Sequence, residues 1–285
     1  MTSVTTHKPV ATDPPPFIDT LPTFIGIGAQ RAGTTWLYEC LNQHPQVFMS
    51  AEKELGYFGA EHDPGLDWYV SQFVARGDAL AFGEITPTYI VDRAAIEQMA
   101  ATVPDARLFV VLREPVSRAY SAYQLFKNTR WANTTFAHAA QPESDLIRYG
   151  RYADQLETLF EYFSPSQVRI FLYDDISSRP EVVLADLFEF LGVDPSFRPA
   201  ALTQRYNRVI MPRSQAMLGR LGLGRLVESV KATPVGPWIK RAHARMGKRV
   251  DNALCATDRR RIAAYFAGDI DRLEKLIDRD LTAWR

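Results

Sequence analysis

The run Phe24-Ile25-Gly26-Ile27-Gly28-Ala29-Gln30-Arg31-Ala32-Gly33-Thr34-Thr35-Trp36-Leu37 constrains this chain more than any other segment. It reads as an apolar strand, a glycine-bracketed loop and the start of an amphipathic helix. That order aims backbone N–H groups and a helix N-terminus at one point, where an anion, usually a phosphate, is favoured. Gly28 and Gly33 keep the spacing of the phosphate-loop pattern G-x-x-x-x-G-K-[ST], but Thr34 stands in the lysine position. The cation has moved inside the loop, to Arg31. The loop is therefore expected to hold a phosphate without following NTPase chemistry. The glycine pair taken alone is equally a tight strand–helix turn.

The rest of the chain repeats the alternation of strand and helix. Strands are predicted at Phe24–Gly28, Val47–Met49, Leu80–Ile85, Ala106–Leu112 and Val168–Tyr173. Ala106–Leu112 carries the strongest buried-strand signal. Helices are predicted over Thr34–Gln43, Leu66–Val74, Arg93–Ala101, Pro115–Asn128, Tyr152–Phe163 and Pro180–Leu191, the last closed by Gly192. Residues 50–65 read as a loop. Such alternation implies a mainly parallel sheet with helices on both faces. Asp258 is expected to cap one long final helix with Ile262, Phe266, Ile270, Leu273 and Ile277 on a single face. Residues 1–20, rich in Thr and Pro, are expected to form a mobile tail, and residues 21–285 a single domain whose portion from about 200 is helical and basic.

Charge and cysteine usage narrow the setting. The 33 Lys and Arg balance the 33 Asp and Glu, which argues against bulk nucleic-acid binding but allows a local basic pocket. Residues 205–249 hold eleven Lys and Arg against the single acid Glu228. This stretch reads either as solvated helix faces or as a lid over an anionic ligand or acceptor. Cys40 and Cys255 show neither metal-ligand spacing nor a disulfide framework. No apolar run is long enough to span a bilayer and no secretory leader is recognisable, so a cytoplasmic protein is expected.

Two further segments carry chemistry. Arg113 ends the most hydrophobic strand, at the edge where open α/β sheets bind ligands. A guanidinium there can grip a phosphate bidentately, and Ser121, two helical turns on, can share its side. Taken alone, the pair is equally a salt-bridged arginine and a surface serine. In Glu52-Lys53-Glu54-Leu55-Gly56-Tyr57-Phe58, Glu54 lies before an apolar patch. A carboxylate half-buried against Tyr57 and Phe58 would be raised in pKa and suited to act as a base, although an ordinary loop carboxylate explains it more simply.

The combination Arg31-Ala32-Gly33-Thr34-Thr35, Lys53-Glu54-Leu55-Gly56-Tyr57-Phe58 and Leu112-Arg113-Glu114-Pro115-Val116-Ser117-Arg118-Ala119-Tyr120-Ser121-Ala122-Tyr123 resembles the PAPS-dependent sulfotransferases. The branch most alike contains the heparan-sulfate N- and O-sulfotransferases and bacterial relatives. The likeness runs from about Phe24 to Tyr173, with a looser match at Pro212-Arg213-Ser214. It implies a P-loop-like three-layer α/β fold and the donor 3′-phosphoadenosine 5′-phosphosulfate (PAPS), with 3′-phosphoadenosine 5′-phosphate (PAP) as product and no metal. It implies that Arg31, Ala32, Gly33, Thr34, Thr35 and Trp36 hold the 5′-phosphosulfate. It implies Arg113 and Ser121 on the 3′-phosphate and Glu54 as base, and it places Tyr152 on a recurring helix, in a packing role. Lys53 either contacts the sulfonate or is solvated.

Three departures stand out. Arg31 replaces the loop lysine, keeping charge but unable to donate a proton at ordinary pH. The run Gly83-Glu84-Ile85-Thr86-Pro87 lacks the lysine of the glycan enzymes' Glu-Lys-Ser/Thr-Pro motif. No C-terminal Lys-Gly-Arg loop is evident, leaving Arg208 or Arg213 as substitutes. The implied acceptor is a saccharide, lipid or secondary metabolite with a hydroxyl or amine. Tyr57, Trp68, Tyr69 and Trp131 are equally at home stacking on it or in the core. The competing readings are a P-loop kinase or NTPase, which needs a loop lysine and a metal-binding acid where Thr34 and Arg113 stand, and a non-catalytic nucleotide-binding module. A histidine base, His62 or His138, is a variant of the main reading.

Overall fold

A computed structural model of the chain describes residues 21–59, 64–74, 77–203 and 254–285. The expected tail at 1–20, the basic stretch 205–249 with Arg208 and Arg213, and His62 lie outside the described residues.

Five parallel strands form one sheet: β1 (Phe24–Gly28), β2 (Val47–Met49), β3 (Ala81–Ile85), β4 (Arg107–Leu112) and β5 (Val168–Leu172), in the order β2-β3-β1-β4-β5. Phe24 pairs with Gly83 on one side and Arg107 on the other, Val47 with Ala81, and Leu108 with Val168. Every residue of β1 and β3 is buried, as is β4 from Leu108 onward. Such unbroken apolar runs are those of strands covered on both faces. Gly26 is required by this packing: a Cβ there would stand 2.6 Å from the Phe109 ring and 2.8 Å from Ile85.

The winding decides where a ligand can go. From β1 the chain goes to β2 at the sheet edge, returns inward to β3, then crosses past β1 to β4 and β5 on the far side. The reversal falls between β1 and β4, and the crevice at the carboxyl ends of such a pair is the usual binding place.

The helices flanking the sheet are α1 (Thr34–Asn42), α2 (Leu66–Ser71), α3 (Arg93–Thr102), α4 (Pro115–Phe126), α5 (Phe136–Ala139), α6 (Asp145–Arg148), α7 (Tyr152–Phe160), α8 (Tyr173–Ser178), α9 (Pro180–Leu191), α10 (Ala256–Ala263) and α11 (Ala267–Ile277). Pro115 opens α4, and the Glu114 carboxylate accepts the backbone N–H groups of Val116 at 2.8 Å and Ser117 at 2.9 Å. Gly192 closes α9 in the left-handed conformation, φ 77°.

Two expectations are corrected. The single long terminal helix is two, α10 and α11, interrupted at residues 264–266, and its cap is Cys255, with Asp258 in the first turn. The anticipated face survives the break, since Ile262, Phe266, Ile270 and Leu273 are all buried. The fifth strand ends at Leu172 because Tyr173 already begins α8. The terminal helices join the core of the sheet. Asp269 of α11 accepts the backbone N–H groups of Ala153 at 3.2 Å and Asp154 at 3.4 Å, capping α7 from outside, and the hydrophobic cluster is continuous from Phe24 to Trp284. No described helix is long and apolar enough to cross a membrane.

Candidate active site

The switch point between β1 and β4 brings the first two sequence motifs together. Gly33, at φ 97°, opens α1, and no side chain caps the helix; the Trp36 N–H bonds the Gly33 carbonyl at 3.0 Å, which leaves the Thr34 and Thr35 N–H groups for another acceptor. Arg31, at φ 73°, turns its guanidinium across to α4, where Nε donates to Ser121 Oγ at 3.1 Å. Arg113, one residue past β4, donates from Nη1 to the Arg31 carbonyl at 2.9 Å. Arg31, Arg113 and Ser121 are thus one constellation drawn from positions 90 residues apart.

The electrostatics are those of an anion site. Neither Arg31 nor Arg113 lies within ion-pair distance of a carboxylate among the described residues. Burial and the neighbouring Arg113 guanidinium pull Arg31 below the ordinary arginine range, and the Glu54 carboxylate opposes them. A third guanidinium, Arg118, is fully buried in α4. Its Nη2 donates to the Leu146 carbonyl, while Nε and Nη1 have no partner among the described residues. Burial lowers its proton affinity, nearby Tyr152 and Tyr149 raise it, and Arg113 lowers it again.

The remaining loop residues divide by role. Ala32 is fully buried and its N–H closes a turn onto the Ala29 carbonyl at 3.1 Å. Thr34 is buried and Thr35 exposed at the head of α1. Trp36 donates its indole N–H to the Ala201 carbonyl at 3.1 Å, so its ring ties α1 to the turn Ala200–Thr203.

The Glu54 segment reaches the same place from β2. Its carboxylate exerts an electrostatic pull on Arg31, as a group on the rim of the cleft would. Its surroundings differ from the sequence expectation. The side chain is 51% exposed and ion-paired with Lys53, whose own side chain is 18% exposed. The apolar patch is occupied by others: Tyr57 stacks on Tyr69 with centroids 4.3 Å apart, and Phe58 packs edge-on to Tyr69 at 5.1 Å and Tyr89 at 5.4 Å. Tyr57 and Tyr69 therefore belong to the core. Glu54 adopts φ 65°, and its N–H bonds the Ile85 carbonyl at 3.2 Å, which docks the loop on the end of β3. His138 is exposed on α5.

The sulfotransferase domain profile matches residues 21–213. The chain belongs to the sulfotransferase family. Membrane-associated sulfotransferase kil1 of Dictyostelium discoideum is 32% identical over 282 residues, covering 65% of this chain and 59% of that protein. Heparan sulfate glucosamine 3-O-sulfotransferase 3B1 of Homo sapiens is 32% identical over 183 residues, covering 61% of this chain and 46% of that protein. The chain thus spans about half the length of these curated relatives. A crystal structure of a sulfotransferase from Alicyclobacillus acidocaldarius superposes with a TM-score of 0.69 at 24% identity, covering 93% of this chain and 98% of that one. That likeness establishes the P-loop-like α/β fold.

Within this sulfotransferase fold, sequence reasoning missed three residues that shape the site. Tyr173, the first residue of α8 directly after β5, lies under the Arg113 guanidinium, 4.6 Å from ring centroid to carbon, and its ring would stand 3.3 Å from a Cβ on Gly33. Its place at a strand's carboxyl end was the available signal. Tyr152, expected only to pack, also donates its hydroxyl to the Arg113 carbonyl at 2.9 Å and so fixes that backbone. Glu84 is fully buried at the end of β3, and in the sequence it registers only as the first residue of an incomplete motif.

Proposed function

We propose that the chain transfers a sulfonyl group from PAPS to a hydroxyl or amine of an acceptor. The carrying observation is the convergence, at the switch point, of two mutually repelling guanidiniums with no carboxylate partner among the described residues, beside an uncapped helix N-terminus. Such a cleft suits one ligand with two separate phosphate ends. Arg31, Ala32, Gly33, Thr34, Thr35 and Trp36 would frame the 5′-phosphosulfate, and Arg113 and Ser121 the 3′-phosphate. Arg213 lies outside the described residues, and we retain it as a donor to the same nucleotide.

This chain's groups then divide the work. Glu54 takes the proton from the acceptor as its oxygen or nitrogen attacks sulfur in line. Arg31 and the α1 N-terminus receive the charge that moves onto the 5′-phosphate as the sulfur–oxygen bond breaks. Lys53 holds the Glu54 carboxylate on the cleft rim through their ion pair. Side-chain cations and backbone dipoles do the stabilising that a metal performs in phosphoryl transfer.

A saccharide acceptor is supported by the surface that follows the Glu54 loop. A cavity of about 610 Å³ adjoins that loop, and its lining includes the polar and aromatic Thr88, Tyr89, Arg93, Arg148 and Tyr149 beside the apolar Phe58 and Val91. Polar, charged and aromatic groups in that mix suit a saccharide, and heparan-sulfate relatives support the same choice over a lipid or secondary metabolite. Cys40 and Cys255 are both free thiols, which fits a reducing compartment, and we assign the reaction to the cytoplasm.

The test is a mass-spectrometric screen of acceptor pools incubated with PAPS. The expected result is an acceptor that gains the mass of one SO₃ with matching release of PAP. Tight PAP binding with no transfer across saccharide, lipid and phenolic pools would instead support a nucleotide-binding module.

A further inference from the structure

Glu84 has no part in the transfer step, yet it is fully buried and held by several polar groups at once. Three hydroxyls donate to it: Thr86 at 2.7 Å, Tyr89 at 2.9 Å and Tyr69 at 3.2 Å. The Leu55 backbone adds a further favourable interaction with the carboxylate. Burial pushes its proton affinity up, and the Thr86, Tyr89 and Tyr69 hydroxyls push it back.

The direction of those bonds matters more than their number. A hydroxyl whose proton is committed to a carboxylate presents its lone pairs elsewhere. Thr86 Oγ1 accepts the Gly56 N–H at 3.2 Å. Tyr89 OH accepts the Tyr57 N–H at 2.8 Å and the Phe58 N–H at 3.4 Å. One carboxylate thus orients two hydroxyls, which together hold three consecutive backbone N–H groups. With Leu55, these are the residues directly after Glu54. Glu54 sits at φ 65°, a conformation that a free loop with a glutamate would leave.

We infer that Glu84 is a positioning residue: its buried carboxylate locks residues 55–58 through Thr86 and Tyr89 and thereby aims Glu54 into the cleft. The inference rests on the reading of Glu54 as the base. The partnership is invisible in sequence because Thr86 lies 30 residues from the Gly56 it holds and because the relay runs through hydroxyls.

The test is amide hydrogen exchange on the full chain, joined to PAP calorimetry and to PAPS hydrolysis with water as the acceptor. Glu84→Gln should speed exchange at Leu55, Gly56, Tyr57 and Phe58 by roughly 10-fold or more, the loss expected when charge-assisted hydrogen bonds go. Amides of β1 and β4 should be unchanged, and PAP affinity should hold within about 3-fold. Tyr89→Phe should expose Tyr57 and Phe58 but not Gly56, and Thr86→Val the reverse, which keeps the relay testable if Glu84→Gln does not fold. Hydrolysis should fall in Glu84→Gln and in Glu54→Gln, and the double variant should be no slower than Glu54→Gln alone. Unchanged exchange at 55–58, or faster exchange spread evenly through β1 and β4, overturns the inference. Full turnover in Glu54→Gln overturns the base reading and leaves the anchoring to be decided by the exchange pattern.

Discussion

Arg31 and Glu54 both sit in the left-handed region, at φ 73° and 65°, where a non-glycine side chain costs on the order of 1 kcal/mol. Each is held there by contacts from another strand: Arg31 by Arg113 and Ser121, Glu54 by the Ile85 carbonyl. Asn133 and Asp278 share that backbone region, and of the four only Arg31 and Glu54 belong to the proposed site. Glu54→Gln is expected to lower transfer by ~10²–10⁴-fold, the range of a general base, with PAP affinity nearly unchanged. Kinetics alongside calorimetry check it, and full turnover removes Glu54 from the role. Arg113→Ala is expected to weaken PAP by about 10- to 100-fold. It should weaken adenosine 5′-phosphosulfate, which lacks the 3′-phosphate, much less. Equal weakening of the two ligands contradicts the assignment of Arg113.

At the scale of elements, apolar runs carried the reading. β1 and β4 were legible because both faces of each are covered, and α4 and α9 because proline opens them and, in α9, glycine closes the end. What escaped lacked a period. α8, with the sequence Tyr-Asp-Asp-Ile-Ser-Ser, has one buried apolar residue, Ile176, and nothing for periodicity to find. The break at residues 264–266 escaped because the same apolar stripe continues across it. α8 is nonetheless tied to the terminus: Asp175 pairs with Arg179 and Arg279, each at 2.8 Å. Burial pushes the Asp175 carboxyl up, but Arg279 and Arg179 outweigh it and hold the group below its ordinary 3.8. A depressed folded value means stabilisation that is present above the ordinary value and lost as pH falls through the folded one. Asp175→Asn should therefore flatten the acid limb of a Tm-against-pH curve below about pH 4. An unchanged acid slope contradicts the pairing.

For the molecule as a whole, strand order does the gathering. With β1 central and β4 beside it, loops whose residues Arg31 and Arg113 stand 82 positions apart share one crevice. The three motifs were legible in order, and their residue types sufficed for the reaction class and the fold. Glu84, Tyr173 and Arg118 were not, because their roles depend on which way side chains point once the sheet has formed. The exposure of Glu54 was misread for the same reason: Tyr69, from α2, claims the apolar patch that the sequence placed beside the carboxylate. The terminus completes the frame, with Arg259 of α10 donating to Glu114 and Ser117 at 3.0 Å each and bracing the first turn of α4. The central claim is that a single nucleotide spans Arg31 and Arg113. A crystal structure with PAP tests it most directly. The account expects the 3′-phosphate against Arg113 and Ser121 and the 5′-phosphate over residues 31–36. A nucleotide bound outside the β1–β4 crevice, or one whose 3′-phosphate touches neither residue, would contradict it.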